Sequence, residues 1–208
     1  MSPVTTPRIL PRERPWRRPT RRVLLQGVAA AAVQGLATRL ARAADVSVPI
    51  GLQSALIGKV AAFDRAFQAR SAGKARLVVV HKTGGDSARV GHQMAKALEE
   101  MPEIAGLPKS VETREWQSAA ALASAVRERP TALVYLALGL ESDAPDIAAA
   151  LAGLQVLTVG ATGALAERGA CVGFELEEGK PKLYVNLRAA KAQKVDFRAE
   201  LLRLVKLV

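Results

Sequence analysis

The sequence predicts an α/β fold: a single three-layer domain with a mostly parallel sheet, helices on both faces, and a C-terminal antiparallel hairpin plus helix. Three observations carry this expectation. The run Ala75–His81 (ARLVVVH) is continuous and β-branched, as strands buried on both faces are, and Thr131–Leu138 (TALVYLAL), broken by Gly139, is the most strand-like run of the chain. Strand patterns alternate with helical ones four times, which calls for parallel strands joined by helical crossovers. Near the end, Glu177-Glu178-Gly179-Lys180 separates two short strand patterns and reads as a hairpin turn.

Each element has its own signal. Ala44 to Pro49 is a short lead-in. Leu52, Leu56, Val60, Phe63 and Phe67 recur at steps of four and three, predicting one helix from Leu52 to Arg70. Ser71-Ala72-Gly73 ends it, and the Ala75–His81 strand follows. Thr83 to Ser87 is a turn, with Asp86 or Ser87 as helix cap. Val90, Met94, Ala97, Leu98 and Met101 then form the stripe of the next helix. Lys109 to Trp116 alternates as a half-exposed strand. Gln117-Ser118 opens an Ala-rich helix that stops at Arg129-Pro130. After the Thr131–Leu138 strand, Gly139 breaks the chain, Pro145-Asp146 starts a short helix and Gly153 closes it. Gln155 to Val159 is a strand, Thr162 to Arg168 a short crossover, and Ala170 to Leu176 with Pro181 to Val185 the hairpin. Asn186 caps a short helix, and Asp196 caps a last one with stripe Phe197, Leu201, Leu204 and Val205.

Charge divides the chain. The formal net charge is +11, but residues 1–43 hold nine Arg and one acid, leaving 21 basic and 18 acidic residues from position 44 onward. A nearly balanced body has no strong field to gather phosphates, so nucleic acid is not an expected partner. Residues 1–43 read as a signal peptide: a basic leader expected to be disordered, Thr20-Arg21-Arg22-Val23-Leu24-Leu25, an uncharged Ala-rich run to Thr38, and small residues at Ala41 and Ala43. The Arg pair is of the twin-arginine type. The expectation is export to the periplasm, with cleavage after Ala43 and a single domain over 44–208.

Candidate chemistry is sparse. Thr83-Gly84-Gly85-Asp86-Ser87-Ala88-Arg89 lies between a strand and its helix, where glycines let backbone approach a ligand and helix N–H groups face an anion. Thr83, Gly84, Gly85, Ser87 and Arg89 are the candidate ligand-binding residues. The run lacks the Lys-Ser/Thr of a nucleotide P-loop and the third glycine of a dinucleotide fingerprint. The plainer reading is a turn with a capping serine. Glu141, Asp143 and Asp146 form an acidic cluster after the second buried strand, more simply solvated loop acids. His81 reads as structural and His92 as a helix flank, and two His with one Cys fit no metal-ligand spacing. Cys171, the single cysteine, rules out a disulfide within the chain and reads as a small buried hydrophobe. No catalytic constellation and no cofactor motif stand out, so the protein is not expected to be an enzyme.

From Val156-Leu157-Thr158-Val159 through Gly169, Val172-Gly173-Phe174, Tyr184-Val185-Asn186-Leu187-x-Ala189-Ala190 and Leu201-Leu202-x-Leu204, the chain resembles the YfiR-like family, and Ile50 to Phe67 is similar to that family's opening helix. The resemblance implies a periplasmic α/β regulator without enzymatic activity. It would bind and repress the periplasmic sensor region of an inner-membrane diguanylate cyclase, lowering cyclic di-GMP and restraining biofilm formation. Members of the family form disulfides, whereas Cys171 has no partner in this chain. Exposed cations on the first and last helices, Lys59, Arg65, Arg188, Lys191, Lys194 and Arg198, are the candidate partner-binding residues, each equally at home on any solvated helix face. A homodimer is a second expected assembly. Two other functions stay open: regulation of a sensor histidine kinase, and small-ligand binding in the periplasm. The usual two-lobed ligand binder needs two domains of about 100–150 residues, against the 165 residues after position 43.

Overall fold

A computed structural model describes residues 48–208. The chain divides into two units, Met1–Asp45 and Val46–Val208. The segment read as an export signal lies outside the described residues.

The second unit opens with helix α1 (Ile50–Phe63), and the predicted continuous helix to Arg70 is not formed. The backbone turns extended at Asp64 and resumes as α2 (Phe67–Ser71). The Asp64 carboxylate explains the break. One oxygen accepts from the N–H of Ala66 at 3.1 Å and of Asp196 at 3.3 Å, and the other pairs with the Arg70 guanidinium. An aspartate that bonds backbone two residues ahead offers the chain an alternative to the helix. Backbone ties hold the break on its other side: Arg65 N–H donates to Asp196 O and Arg198 N–H to Phe63 O, each at 2.9 Å. The buried face of α1 also differs from the apolar stripe. Gln53, Ile57, Val60 and Ala61 point inward, while Leu52 is 39% exposed. Gln53 tolerates burial because its amide is satisfied. Tyr135 Oη donates to its Oε1 and its Nε2 donates to Val48 O, both at 2.8 Å.

Strand β1 (Ala75–His81) leads to α3 (Gly85–Glu100), β2 (Lys109–Glu115), α4 (Ala119–Glu128) and β3 (Leu133–Leu136). Then come α5 (Ala144–Leu151), β4 (Leu157–Gly160), α6 (Gly163–Glu167), β5 (Val172–Glu177) and β6 (Lys180–Val185). Helices α7 (Leu187–Ala192) and α8 (Ala199–Leu202) and strand β7 (Lys206–Leu207) complete the unit. One seven-stranded sheet runs β2-β1-β3-β4-β5-β6-β7. The first five strands are parallel, β6 is antiparallel to β5, and β7 is parallel to β6. This is the mostly parallel sheet with a closing hairpin that the sequence predicts. Every residue of β1, β3 and β4 is buried, which requires cover on both faces. Edge strand β2 instead alternates and carries Lys109, Glu112, Arg114 and Glu115, charges that discourage pairing with another sheet. Glu178 and Gly179 both take positive φ (52° and 74°), as a two-residue type I′ hairpin requires.

Asn186 caps its helix as the sequence predicts, and Ser118 and Thr162, read only as the starts of their segments, do the same, each accepting from an N–H three residues on. Two others do not. Gly84 caps α3, and Ser87 lies in the helix's first turn, where its hydroxyl accepts from Lys82 N–H at 2.9 Å. Asp196 caps nothing, because its backbone is engaged with Asp64 and Arg65, and α8 starts after Arg198. The expected final helix is only one turn long, and the chain beyond it extends to pair with β6, leaving Leu204 74% exposed.

Removing the Asp64 carboxylate strands a buried guanidinium and frees two backbone donors. Asp64→Ala is expected to cost about 3–5 kcal/mol, measured as a lower urea midpoint. A loss under about 1 kcal/mol would show that the ion pair does not hold the helix break.

Candidate functional site

The strand order reverses at β1, with β2 on one side and β3 on the other. In parallel α/β sheets, such a switch point leaves a crevice at the carboxyl ends of the diverging strands. The loops after β1 and β3 therefore meet, bringing the predicted Gly-rich turn to the predicted acidic segment. Gly84 (φ 71°) and Gly85 (φ 61°) both use the left-handed region, which admits glycine without strain. The loop is shut from below by the Lys82–Ser87 hydrogen bond. Above it, Lys82 Nζ meets Asp143 Oδ2 at 2.9 Å. Thr83 Oγ1 reaches Glu115 at 3.5 Å.

The electrostatics of this junction are local. Burial pushes the Asp143 carboxyl up, but the Lys82 hydrogen bond and charge, with hydrogen bonds from Ser142 and Trp116, outweigh it and hold the group below the ordinary carboxylate range. Arg89, predicted to add charge for an anion, is held on its own helix by Asp86 at 2.8 Å and Gln93 at 3.4 Å. Asp146 stands exposed in the first turn of α5, and Glu141 meets Thr162 at 3.5 Å. The hydroxyls of Thr83, Ser142 and Thr162 face the carboxylates of Glu115, Asp143 and Glu141 at 3.5, 3.3 and 3.5 Å. Cys171 is fully buried and its thiol is pushed up to about 11 by that burial, against hydrogen bonding from Thr158 and the charge of Arg70. That disfavours the reactive thiolate. His81 ends β1 with Nδ1 3.1 Å from Lys82 O, and its ring lies 4.8 Å from that of His92. Among the described residues, no three His, Cys, Asp or Glu side chains gather as metal ligands would.

Three residues of this junction were missed from the sequence: Lys82, Trp116 and Gly139. The strand order places them together, and only the pairing of loops β1 and β3 would have pointed to them.

The six predicted partner-binding cations do not form one patch. Arg65 and Arg198 meet across the Asp64–Phe197 bridge and line a shallow groove of about 200 Å³ with Gln68. Lys191 and Lys194 border a groove of about 470 Å³ floored by Leu187, Ala190, Val195, Phe197 and Leu202. Arg188, on another side of α7, lines a groove of about 420 Å³ against α5 and Gly169. Lys59 stands on α1, apart from these grooves.

Comparison with known proteins places the fold. A family model described as YfiR/HmsC-like matches residues 50–206. No curated protein matches the chain. Among solved structures, a conserved domain protein from Vibrio cholerae is similar at 16% identity and TM-score 0.56, over 78% of this chain and 60% of that one. An ABC domain in complex with L-Trp from Streptococcus pneumonia gives 12% identity and TM-score 0.50, over 72% and 62% of the two chains. A ligand-free, open substrate-binding protein with adhesive properties from Clostridium difficile gives 12% and 0.50, over 69% and 57%. The chain thus spans about 60% of the length of these structures, and at such identities the likeness is one of fold.

The Lys82–Asp143 contact can be read by titration. Because the folded carboxyl sits below its unfolded value, its stabilisation is present above the ordinary carboxylate range and is lost as pH falls through the lowered value. Partial exposure keeps it to about 1 kcal/mol or less. In Lys82→Met the Asp143 carboxyl, followed by NMR, is expected to titrate at higher pH; an unmoved midpoint would remove Lys82 as the cause.

Proposed function

The chain belongs to the YfiR/HmsC-like family, and on that premise we propose that it represses an inner-membrane diguanylate cyclase by binding the cyclase's periplasmic sensor region. Members of this family are regulatory and periplasmic, and the family suggests control of cyclic di-GMP signalling. The observation that carries the reading is the family match over residues 50–206, nearly the whole described unit. No helix of the described residues is long and apolar enough to cross a membrane.

Residues 1–43 act in this proposal as a twin-arginine export signal, and the domain from 44 onward is the part that reaches the periplasm. A regulator of this kind needs only differential affinity for one state of its partner. The partner-facing cations are drawn from Lys59, Arg65, Arg188, Lys191, Lys194 and Arg198, spread over three grooves and α1. A sensor histidine kinase is the alternative partner. The likeness in fold to a substrate-binding protein and to an ABC domain in complex with L-Trp favours small-ligand binding as a second reading. In that case Thr83, Gly84, Gly85, Ser87 and Arg89 would lie at the ligand, in the switch-point crevice of a single lobe.

Deleting the gene should raise cellular cyclic di-GMP and biofilm mass, and re-expression should reverse both; unchanged levels in the deletion strain would rule out the cyclase. Replacing Arg21 and Arg22 by Lys should trap the protein in the cytoplasm, seen by fractionation. Normal export of that variant would rule out the twin-arginine route.

A further inference from the structure

Charge and exposed apolar surface coincide in one segment. Residues 48–186 contain 15 basic and 15 acidic side chains; residues 187–208 contain six basic (Arg188, Lys191, Lys194, Arg198, Arg203, Lys206) and two acidic (Asp196, Glu200). All the net charge of the described domain is therefore carried by its last 22 residues. The same segment holds four of the five exposed large hydrophobics among the described residues: Leu187 at 40%, Leu204 at 74%, Leu207 at 51% and Val208 at 41%.

Part of this set is adjacent in space, and Leu204 follows two residues after Leu202. Leu187 and Leu202 share the groove bordered by Lys191 and Lys194. Leu207 lies opposite Val185 in the β6–β7 register, and Val208 N–H donates to Val185 O at 3.0 Å, two residues from Leu187. Asp196 is taken by Arg65 and Lys206 by Glu177. Among the described residues Arg188, Lys191, Lys194, Arg198 and Arg203 have no ion-pair partner.

We propose that this face docks on the surface of a bilayer containing anionic phospholipid. Exposed Leu187 with Lys191 and Lys194 unpaired beside it, and Leu204 projecting from the same closing segment, suit that occupant. The leucines enter the boundary between headgroup and acyl chain, while Lys and Arg stems lie along it and carry their charges to the phosphates. Each such cation adds attraction to an anionic surface, and the effect falls off within a Debye length. A folded protein partner would need a cavity matched to Leu204, whereas a fluid surface does not. The link to function rests on the proposed role at the inner membrane: docking confines the regulator to the layer where a sensor region stands and raises its effective concentration there.

The test uses the full chain with Leu204→Cys carrying an environment-sensitive nitrobenzoxadiazole label. Cys171 is fully buried, so labelling goes to position 204. Vesicles of phosphatidylglycerol mixed with phosphatidylcholine should blue-shift and brighten the label. The same label at Ser124→Cys, exposed on α4, should not respond. Adding Lys191→Glu and Lys194→Glu should weaken the vesicle response by about tenfold or more. The proposal is overturned by an unchanged label at 204, or by an equal response to pure phosphatidylcholine. It is also overturned by a shift without vesicles that grows with protein concentration, which would mark a second copy on this face. A bound bilayer with no cyclic di-GMP effect on gene deletion would defeat the functional reading alone.

Discussion

The buried Asp64–Arg70 ion pair is the constraint on which the arrangement of this domain depends. It sits where a helix would otherwise run on, and it is why the chain can make two elements out of one apolar pattern. The carboxylate also reaches across to the backbone of residue 196. The opening of the domain and its closing segment, 131 residues apart at Arg65 and Asp196, are thereby sewn together. Burying two charges costs several kcal/mol per ion in desolvation, and only good pairing offsets it. The return is specificity: the helix break, the bridge to Phe197 and the direction in which α8 leaves all follow from one carboxylate.

The sheet was legible in the sequence because its signal is local. Short continuous apolar runs such as Leu77–Val80, with three valines, and Leu133–Leu136, with Val134 and Tyr135, are set apart from buried helix by their length and by the turn residues that close them. The turn at Glu178-Gly179 likewise announces the hairpin. What escaped is long-range. Leu52 and Gln53 exchange the places that polarity assigns them, since an amide satisfied by Tyr135 and Val48 is as good an occupant of the core as a leucine. Nothing near Asp64 in sequence reveals Arg70 and Asp196 as its partners. The candidate site was half legible: the glycine turn and the acidic loop were each visible, but their meeting through Lys82 depends on the strand order. The last strand was hidden because two residues, Lys206 and Leu207, are too few for any period to register.

On the proposed reading, function is a property of surfaces. The domain's body is charge-balanced and its closing segment is not, although that segment also lends Phe197 and Leu201 to the core. The first holds a core covered on both faces. The second concentrates cations and projecting leucines without needing a deep pocket. Such a division fits a family that regulates and does not catalyse, because a regulator must be recognised in place more than it must bind a transition state.

Trp116 gives the switch point a consequence of its own. Its backbone N–H donates to His81 O at 2.7 Å, at the end of β1, and its indole helps hold down the Asp143 carboxyl in the loop after β3. The only other tryptophan is Trp16, within the segment proposed to be cleaved on export. In the mature form of that proposal, the intrinsic emission of the molecule comes from a single indole lodged between two loops. The protein then carries its own optical gauge of that crevice, sensitive to any guest or strain that parts β1 from β3.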